Sequence, residues 1–373
     1  MIDSLCKIKY RNKEKSLLSV VINTNQLKRV LQITPENQNI MLTGKHGIGK
    51  SQILKQFFEE RGQKVVILFL GQMSDPGDLI GLPRLNEETG KTDFMLPYWF
   101  PTDGKPIVLF LDELNRARPE VLQTIMDLTL NRTLAGKALP KGSRIISAVN
   151  DGEEYQLTDL DPALVSRFNI YEFKPTVSEW LVWAQKQGLD SRVLEFINEN
   201  PDMLDGAEFR REDQGLGKSP DRRGWERVSQ ILQNNEPDSL LKTVIAGIVG
   251  MPATAKLFAS ISKTRNITAK DILLDSFDKV KTSLKKYKTH ELATLNDSVF
   301  RLIESEAYEK SEISRIAKNL TAYFEYLETE ELREIAAHFV NLFSSSGYPT
   351  AIVFIITNCP ELNKRLTEFI KAL

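Results

Sequence analysis

Eight residues constrain this chain more than any others. After the apolar run NIMLT (39–43) the sequence reads GKHGIGKS, Gly44 to Ser51, and continues into a helical stretch, SQILKQFFEERG, that ends on Gly62. The spacing G-x-x-x-x-G-K-[ST] is met in full. A strand, a glycine-rich turn and a helix in that order point successive backbone N–H groups and the positive end of the helix dipole at one spot, which is what a phosphate group requires. Gly44, Lys45, His46, Gly47, Ile48 and Gly49 then form the cradle. Lys50 is expected to reach the β- and γ-phosphates, and the Ser51 hydroxyl to ligate Mg²⁺. His46 is expected to project outward as a spacer. An idle glycine turn is the alternative, and the flanking strand and helix count against it.

Four further apolar runs, KVVILFL (64–70), IVLFL (107–111), RIISAV (144–149) and NIYEF (169–173), alternate with amphipathic stretches. This alternation predicts an α/β fold with a mainly parallel, five-stranded sheet flanked by helices. The unbroken β-branched character of the runs suits strands buried on both faces. The third run delivers Asp112 and Glu113 at its end, beside the phosphate loop of a doubly wound sheet. Asp112 suits an indirect Mg²⁺ ligand, and Glu113 can polarise a water for in-line attack on a γ-phosphate. Capping of the next helix is the plainer alternative for the pair. Between the second and third runs, about residues 71–100 form a proline- and glycine-marked stretch too long for a plain connection, so an elaborated insert is expected there.

Beyond about Pro175 helical signals take over. TVSEWLVWAQKQ opens with a capping box from Thr176 to Glu179, and SPDRRGWERVSQILQ is expected to start with a Ser219 cap and Pro220 at its first position. DGAEFRREDQGLGKS (205–219) reads as a polar, glycine-marked loop. TEELREIAAHFVNLF places Leu332, Ile335, Ala336, Phe339, Val340 and Phe343 on one face, as bundle core requires.

Composition narrows the partners. With 49 basic and 50 acidic residues the formal net charge is −1, without the basic excess of a typical nucleic-acid binder. Cys6 and Cys359 supply neither a CxxC pair nor a disulfide framework. The stretch MIDSLCKIKYRNKEK lacks the apolar core of a signal peptide, and IVLFL and AIVFIIT (351–357) are too short to span a bilayer, so a cytoplasmic location is expected.

In these residues the chain resembles the AAA+ ATPases, and among them the MoxR family. Asn150, closing RIISAVN, matches the sensor-1 position that orients the attacking water. DLDPALVSRF looks like the arginine-finger segment, which implies that Arg167 enters a neighbouring subunit's site. SPDRRGWERVS resembles the sensor-2 motif, with Arg223 at the sensor position and Arg222 as the competing register. The NRA after Glu113, including Arg116, is also typical of the family, as are DPGDLIGLP and GIVGMPATAKLF. The resemblance covers roughly residues 25–260.

That resemblance implies an AAA+ core over 1–175, an α-helical lid over 176–264, and a helical region over 265–373 whose role is not legible. It implies ATP and Mg²⁺ as cofactors, with Glu113, Asn150, Arg167 and Arg223 catalytic. It further implies a homo-oligomeric ring, usually hexameric, that remodels a protein client together with a von Willebrand factor A domain partner. The insert within 71–100 and a hairpin near NRTLAGKALPKGS (131–143) would project as remodelling elements. For Tyr98, Trp99 and Phe100, a buried staple tying the insert to the core is favoured over a client-touching surface. A DNA-directed motor and a nucleotide-gated scaffold with little hydrolysis are the competing readings.

Overall fold

The computed structural model describes residues 20–150, 160–206, 218–261 and 267–372. Cys6, the N-terminal stretch around it and most of the polar loop expected over 205–219 lie outside the described residues. The chain divides into two compact units at Pro175/Thr176.

The first unit holds the sheet. Its strands are β1 (Val21–Ile22), β2 (Asn39–Gly44), β3 (Lys64–Phe69), β6 (Ile107–Asp112), β9 (Arg144–Asn150) and β10 (Phe168–Phe173), in the spatial order β1-β10-β2-β9-β6-β3, every pair parallel. All five expected strands are present. The sixth, β1, is a correction to the five-stranded expectation: two residues that pair with Glu172 and Phe173 at the edge are too few to show any period.

Every residue of β6 is buried. Ile107, Leu109 and Leu111 enter one core with Met41 and Ile145, while Val108 and Phe110 enter the other with Ile40, Leu42, Ile146 and Ala148. Because successive side chains point to opposite faces, a strand covered on both sides must be apolar at every position, and this makes the run continuous. Each such side chain contributes roughly 1.5–3 kcal/mol by leaving water.

The expected insert is built from a 3₁₀ turn (Leu70–Gln72), a short helix (Gly77–Ile80) and an antiparallel hairpin, β4 (Leu82–Asn86) with β5 (Lys91–Met95). Gly81 at its base has φ +88°, and a Cβ there would lie 1.8 Å from the Met95 carbonyl oxygen, so only glycine fits. The aromatic triplet divides: Trp99 is 2% exposed and Phe100 is buried beside it, whereas Tyr98 is 91% exposed. Two residues therefore staple the insert to the core and one does not. A second hairpin, β7 (Thr133–Leu134) with β8 (Lys137–Ala138), falls inside the 131–143 stretch.

The second unit is helical throughout its described residues. The Thr176–Glu179 capping box is present at the start of helix Val177–Lys186. Helix Arg222–Asn234 is capped by Asp221, whose side chain accepts from the Gly224 N–H. This corrects the expected Ser219 cap: the Ser219 hydroxyl donates instead to the Gly206 carbonyl at 3.0 Å. One core gathers Trp180, Phe196 and Trp225; another gathers Phe300, Tyr323, Phe324 and Phe339. Helix Val177–Lys186 packs on helix Thr289–Ser305, and Asn198 and Arg301 join the two regions through a 2.9 Å hydrogen bond. Ile335, Ala336, Phe339 and Val340 line the buried face of helix Arg333–Ser344. Among the described residues no single helix is long and apolar enough to cross a membrane.

Candidate functional site

The loop after β2 takes its shape from its glycines. Gly44 has φ +151°, and a Cβ there would meet the Phe173 carbonyl oxygen at 2.7 Å, so the chain passes β10 only without a side chain. Gly47 and Gly49 have φ +78° and +91°, the region that L side chains rarely occupy. Gly49 is the N-cap of helix Lys50–Glu59, and no side chain caps that helix. Its first N–H groups face the turn, the arrangement that attracts anions. Ile48 is buried among Leu27, Leu54 and Phe57 and fixes the loop to the core, while Lys45 and His46 are exposed.

Sheet register brings the polar residues together. Gly44 stands opposite Asn150, and Phe69 opposite Asp112, so the carboxyl ends of β2, β9, β6 and β3 finish side by side. Lys50, only 6% exposed, donates from Nζ to the carbonyls of Gly44 (2.8 Å) and Lys45 (2.9 Å) and to Asn150 Oδ1 (2.9 Å). A buried ammonium is stable only with its donors engaged, and here three oxygens take them. Ser51 Oγ donates to Asp112 Oδ2 at 2.7 Å, and Asp112 Oδ1 accepts from the Glu113 N–H at 2.9 Å.

Glu113 has φ +56°, a left-handed conformation uncommon away from glycine. Its Oε1 accepts from Arg116 Nη1 at 2.9 Å. Asn115 is a member of the cluster that the sequence did not single out: buried, it donates from Nδ2 to the Asn150 carbonyl at 3.0 Å and so holds the end of β9. The cue was a polar residue two places beyond the carboxylates, inside a segment read only for its arginine.

The two candidate arginines lie on other elements of the chain. Arg167 follows the short helix Pro162–Val165, is half-buried and donates to the Met126 carbonyl of helix Pro119–Asn131. Its own carbonyl accepts from Asn39. Arg223 is exposed and belongs to the second unit. The competing Arg222 is buried and forms a two-point pair with Asp205, with both hydrogen bonds at 3.0 Å.

An all-parallel sheet with a complete phosphate loop after β2, a carboxylate pair ending β6 and a polar residue ending β9 is a P-loop fold of the AAA+ type. Residues 39–168 match the AAA domain family of the dynein-related subfamily. Over 184 residues the chain is 30% identical to a protein of Thauera aromatica named "Putative chaperone BssE". That alignment covers 46% of this chain and 63% of the relative, so the chain spans less than two thirds of the relative's length. Solved structures with some likeness include the RuvB Holliday junction branch migration motor of Thermotoga maritima (15% identity, 74% of this chain and 76% of that one, TM-score 0.34). Another is NtrX from Brucella abortus in complex with ADP (17% identity, 86% and 75%, TM-score 0.35).

Proposed function

We propose that this chain is a MoxR-type AAA+ ATPase that hydrolyses ATP at sites shared between subunits and uses the energy to remodel a protein client. The observation that carries the reading is the joint placement of Lys50 and Ser51, at the start of the helix after the loop, with Asp112, Glu113 and Asn150 at the ends of adjacent parallel strands.

In this reading Gly44–Gly49 and the helix start wrap the phosphates, and Lys50 exchanges carbonyl partners for phosphate oxygens. Ser51 Oγ and the Asp112 carboxylate are hard oxygens already within hydrogen-bonding distance of each other, a donor set that would suit Mg²⁺. When bound, Mg²⁺ supplies charge neutralisation on the phosphoryl group. Glu113 takes the proton of the attacking water, and Asn150 orients that water.

Arg167 acts as the finger in the site of an adjacent copy, where a guanidinium offsets the charge of the transferring group. The Arg222–Asp205 pair supports Arg223 as the sensor-2 residue, because Arg222 is already committed inside the lid. A hexameric ring, a von Willebrand factor A domain partner and a cytoplasmic location complete the proposal. Its client side draws on the named chaperone relative and on the insert hairpin, where Leu82, Leu85, Met95 and Tyr98 are all exposed.

The test is steady-state ATP hydrolysis by the wild type and Glu113→Gln, with and without DNA. Loss of turnover with retained nucleotide binding in Glu113→Gln, and indifference to DNA, is the expected result. Stimulation by DNA would turn the reading toward a nucleic-acid motor. Pull-down with the Glu113→Gln protein in ATP, followed by identification of what it holds, would name the client.

A further inference from the structure

We propose that Asn39 is the positioning residue for Arg167, and that through Arg132 it joins the hairpin β7–β8 to an arginine serving the site of an adjacent copy. The proposal rests on the assignment of Arg167 as the finger and names what holds it in place.

Asn39 opens β2 opposite Phe168, the first residue of β10, so Arg167 begins at the amino end of the sheet. The phosphate loop leaves the other end of β2, roughly 16 Å along the strand at about 3.3 Å per residue. That distance exceeds the reach of an arginine side chain, so as a finger Arg167 can act only on a second copy. Asn39 is 5% exposed, and its amide has three partners. Nδ2 donates to the carbonyls of Thr129 (2.9 Å) and Arg167 (3.1 Å), and Oδ1 accepts from Arg132 Nη2 (3.1 Å). Two carbonyls on one side and a guanidinium on the other admit a single orientation of the amide. The Arg167 guanidinium donates to the Met126 carbonyl on the helix that also carries Thr129. Both ends of Arg167 are thus tied to that helix, one of them through Asn39.

Arg132 brings in the hairpin. It follows the helix with φ +54°, its carbonyl accepts from the Leu139 N–H at 2.8 Å, and its Nη1 donates to the Ser143 carbonyl at 2.6 Å. One guanidinium therefore holds the far foot of the hairpin stretch and the Asn39 amide together. A shift of the hairpin reaches the Arg167 backbone through this buried amide. Placement is what a finger needs, because a displacement of about 1 Å can cost about 10²-fold in rate. Without the amide, the Arg167 carbonyl, the Thr129 carbonyl and the Arg132 guanidinium each lose a partner.

Full-chain variants test this by steady-state ATP hydrolysis, with kcat and KM measured separately and a thermal melt run alongside. Asn39→Ala and Arg167→Ala should each lower kcat by about 10- to 100-fold and leave KM for ATP within about twofold. Each is then mixed with excess Lys50→Ala protein, which lacks the loop cation but carries Asn39 and Arg167 intact. A neighbouring copy makes good a finger defect, so turnover per variant chain should rise several-fold for both; a general loss of structure stays with its own chain. Arg132→Met, which keeps the amide but frees its orientation, should lower kcat less than Asn39→Ala and be restored in the same way. Asn39→Asp keeps the acceptor for Arg132 and turns an oxygen on two carbonyls, so it should behave as Asn39→Ala, and it takes that variant's place if Asn39→Ala does not fold. An Asn39 variant that folds and keeps kcat within about twofold of wild type overturns the positioning role. So does one that Lys50→Ala fails to restore while restoring Arg167→Ala. Wild-type kcat in Arg132→Met overturns the hairpin link. An Arg167→Ala protein that is unimpaired, or impaired and not restored, removes instead the finger assignment, and the positioning role with it.

Discussion

Lys50 Nζ and Asn150 Oδ1 lie 2.9 Å apart, and this hydrogen bond joins the phosphate loop to the end of the neighbouring strand. The same ammonium holds the Gly44 and Lys45 carbonyls, so one buried charge closes the loop and meets the residue proposed to orient water. Removing either partner should therefore have different effects. Lys50→Ala should abolish measurable nucleotide binding, because the cradle loses its only buried cation among the described loop residues. Asn150→Ala should leave binding within a few-fold while lowering kcat by about 10²-fold, the usual scale for loss of one oriented polar group around a transition state. Binding of a fluorescent nucleotide and steady-state rates, measured on both variants, check the split.

Under the proposed function, Ser51 and Asp112 set the metal requirement. Their 2.7 Å hydrogen bond places a hydroxyl and a carboxylate where Mg²⁺ takes hard oxygens. In Ser51→Ala the Mg²⁺ concentration that gives half-maximal hydrolysis should rise about tenfold, while stability falls by no more than about 1 kcal/mol for one lost, partly exposed hydrogen bond. A Mg²⁺ titration at fixed ATP measures the first, and a denaturant melt the second.

The aromatic triplet in the insert gives a stability contrast between neighbours. Trp99→Ala removes a side chain packed at 5.7 Å between ring centroids on Phe100 and should cost about 3–5 kcal/mol. Tyr98→Ala changes a side chain that is almost wholly exposed and should shift stability by less than about 0.5 kcal/mol. Urea unfolding of the two variants checks this. Any loss of client capture in Tyr98→Ala would then be a surface effect.

What was legible in the sequence follows from how local each cause is. Strands β2, β6 and β9 showed themselves because burial on both faces forces an unbroken apolar run, Asp112 and Glu113 because carboxylates ending such a run stand out, and Asn150 through the family resemblance. The two-residue β1 has no length over which a pattern could appear. The cap of helix Arg222–Asn234 was misplaced because Ser219 and Pro220 are good starting residues taken alone. The distant Gly206 carbonyl claims the Ser219 hydroxyl, and Asp221 caps the helix. The register between Arg222 and Arg223 stayed open for the same reason: Asp205 takes Arg222 from seventeen positions away. The turns Leu70–Gln72 and Leu114–Arg116 pack together from about forty residues apart, and only the fold places them side by side.

The second unit should lose stability as pH rises through neutrality, and Glu195 is the group responsible. It lies on helix Ser191–Glu199, and burial pushes its carboxyl up to about 7, with Arg301 pulling the other way and Glu199, Asp271 and Asp190 adding to the rise. The folded chain therefore binds a proton that the unfolded chain releases near 4.5. Stability is fully present below about pH 4.5 and is lost progressively as pH passes from there through 7, because over that range the unfolded carboxylate gives up its proton while the folded one keeps it. Two to three pH units at 1.36 kcal/mol each set an upper scale of roughly 3 kcal/mol. Glu195→Gln keeps the shape and removes the titration, so its unfolding free energy should be flatter than wild type between pH 5 and 7.5 and higher at the alkaline end. Denaturant unfolding across that range measures it, and parallel pH profiles for the two proteins would show that another group carries the proton.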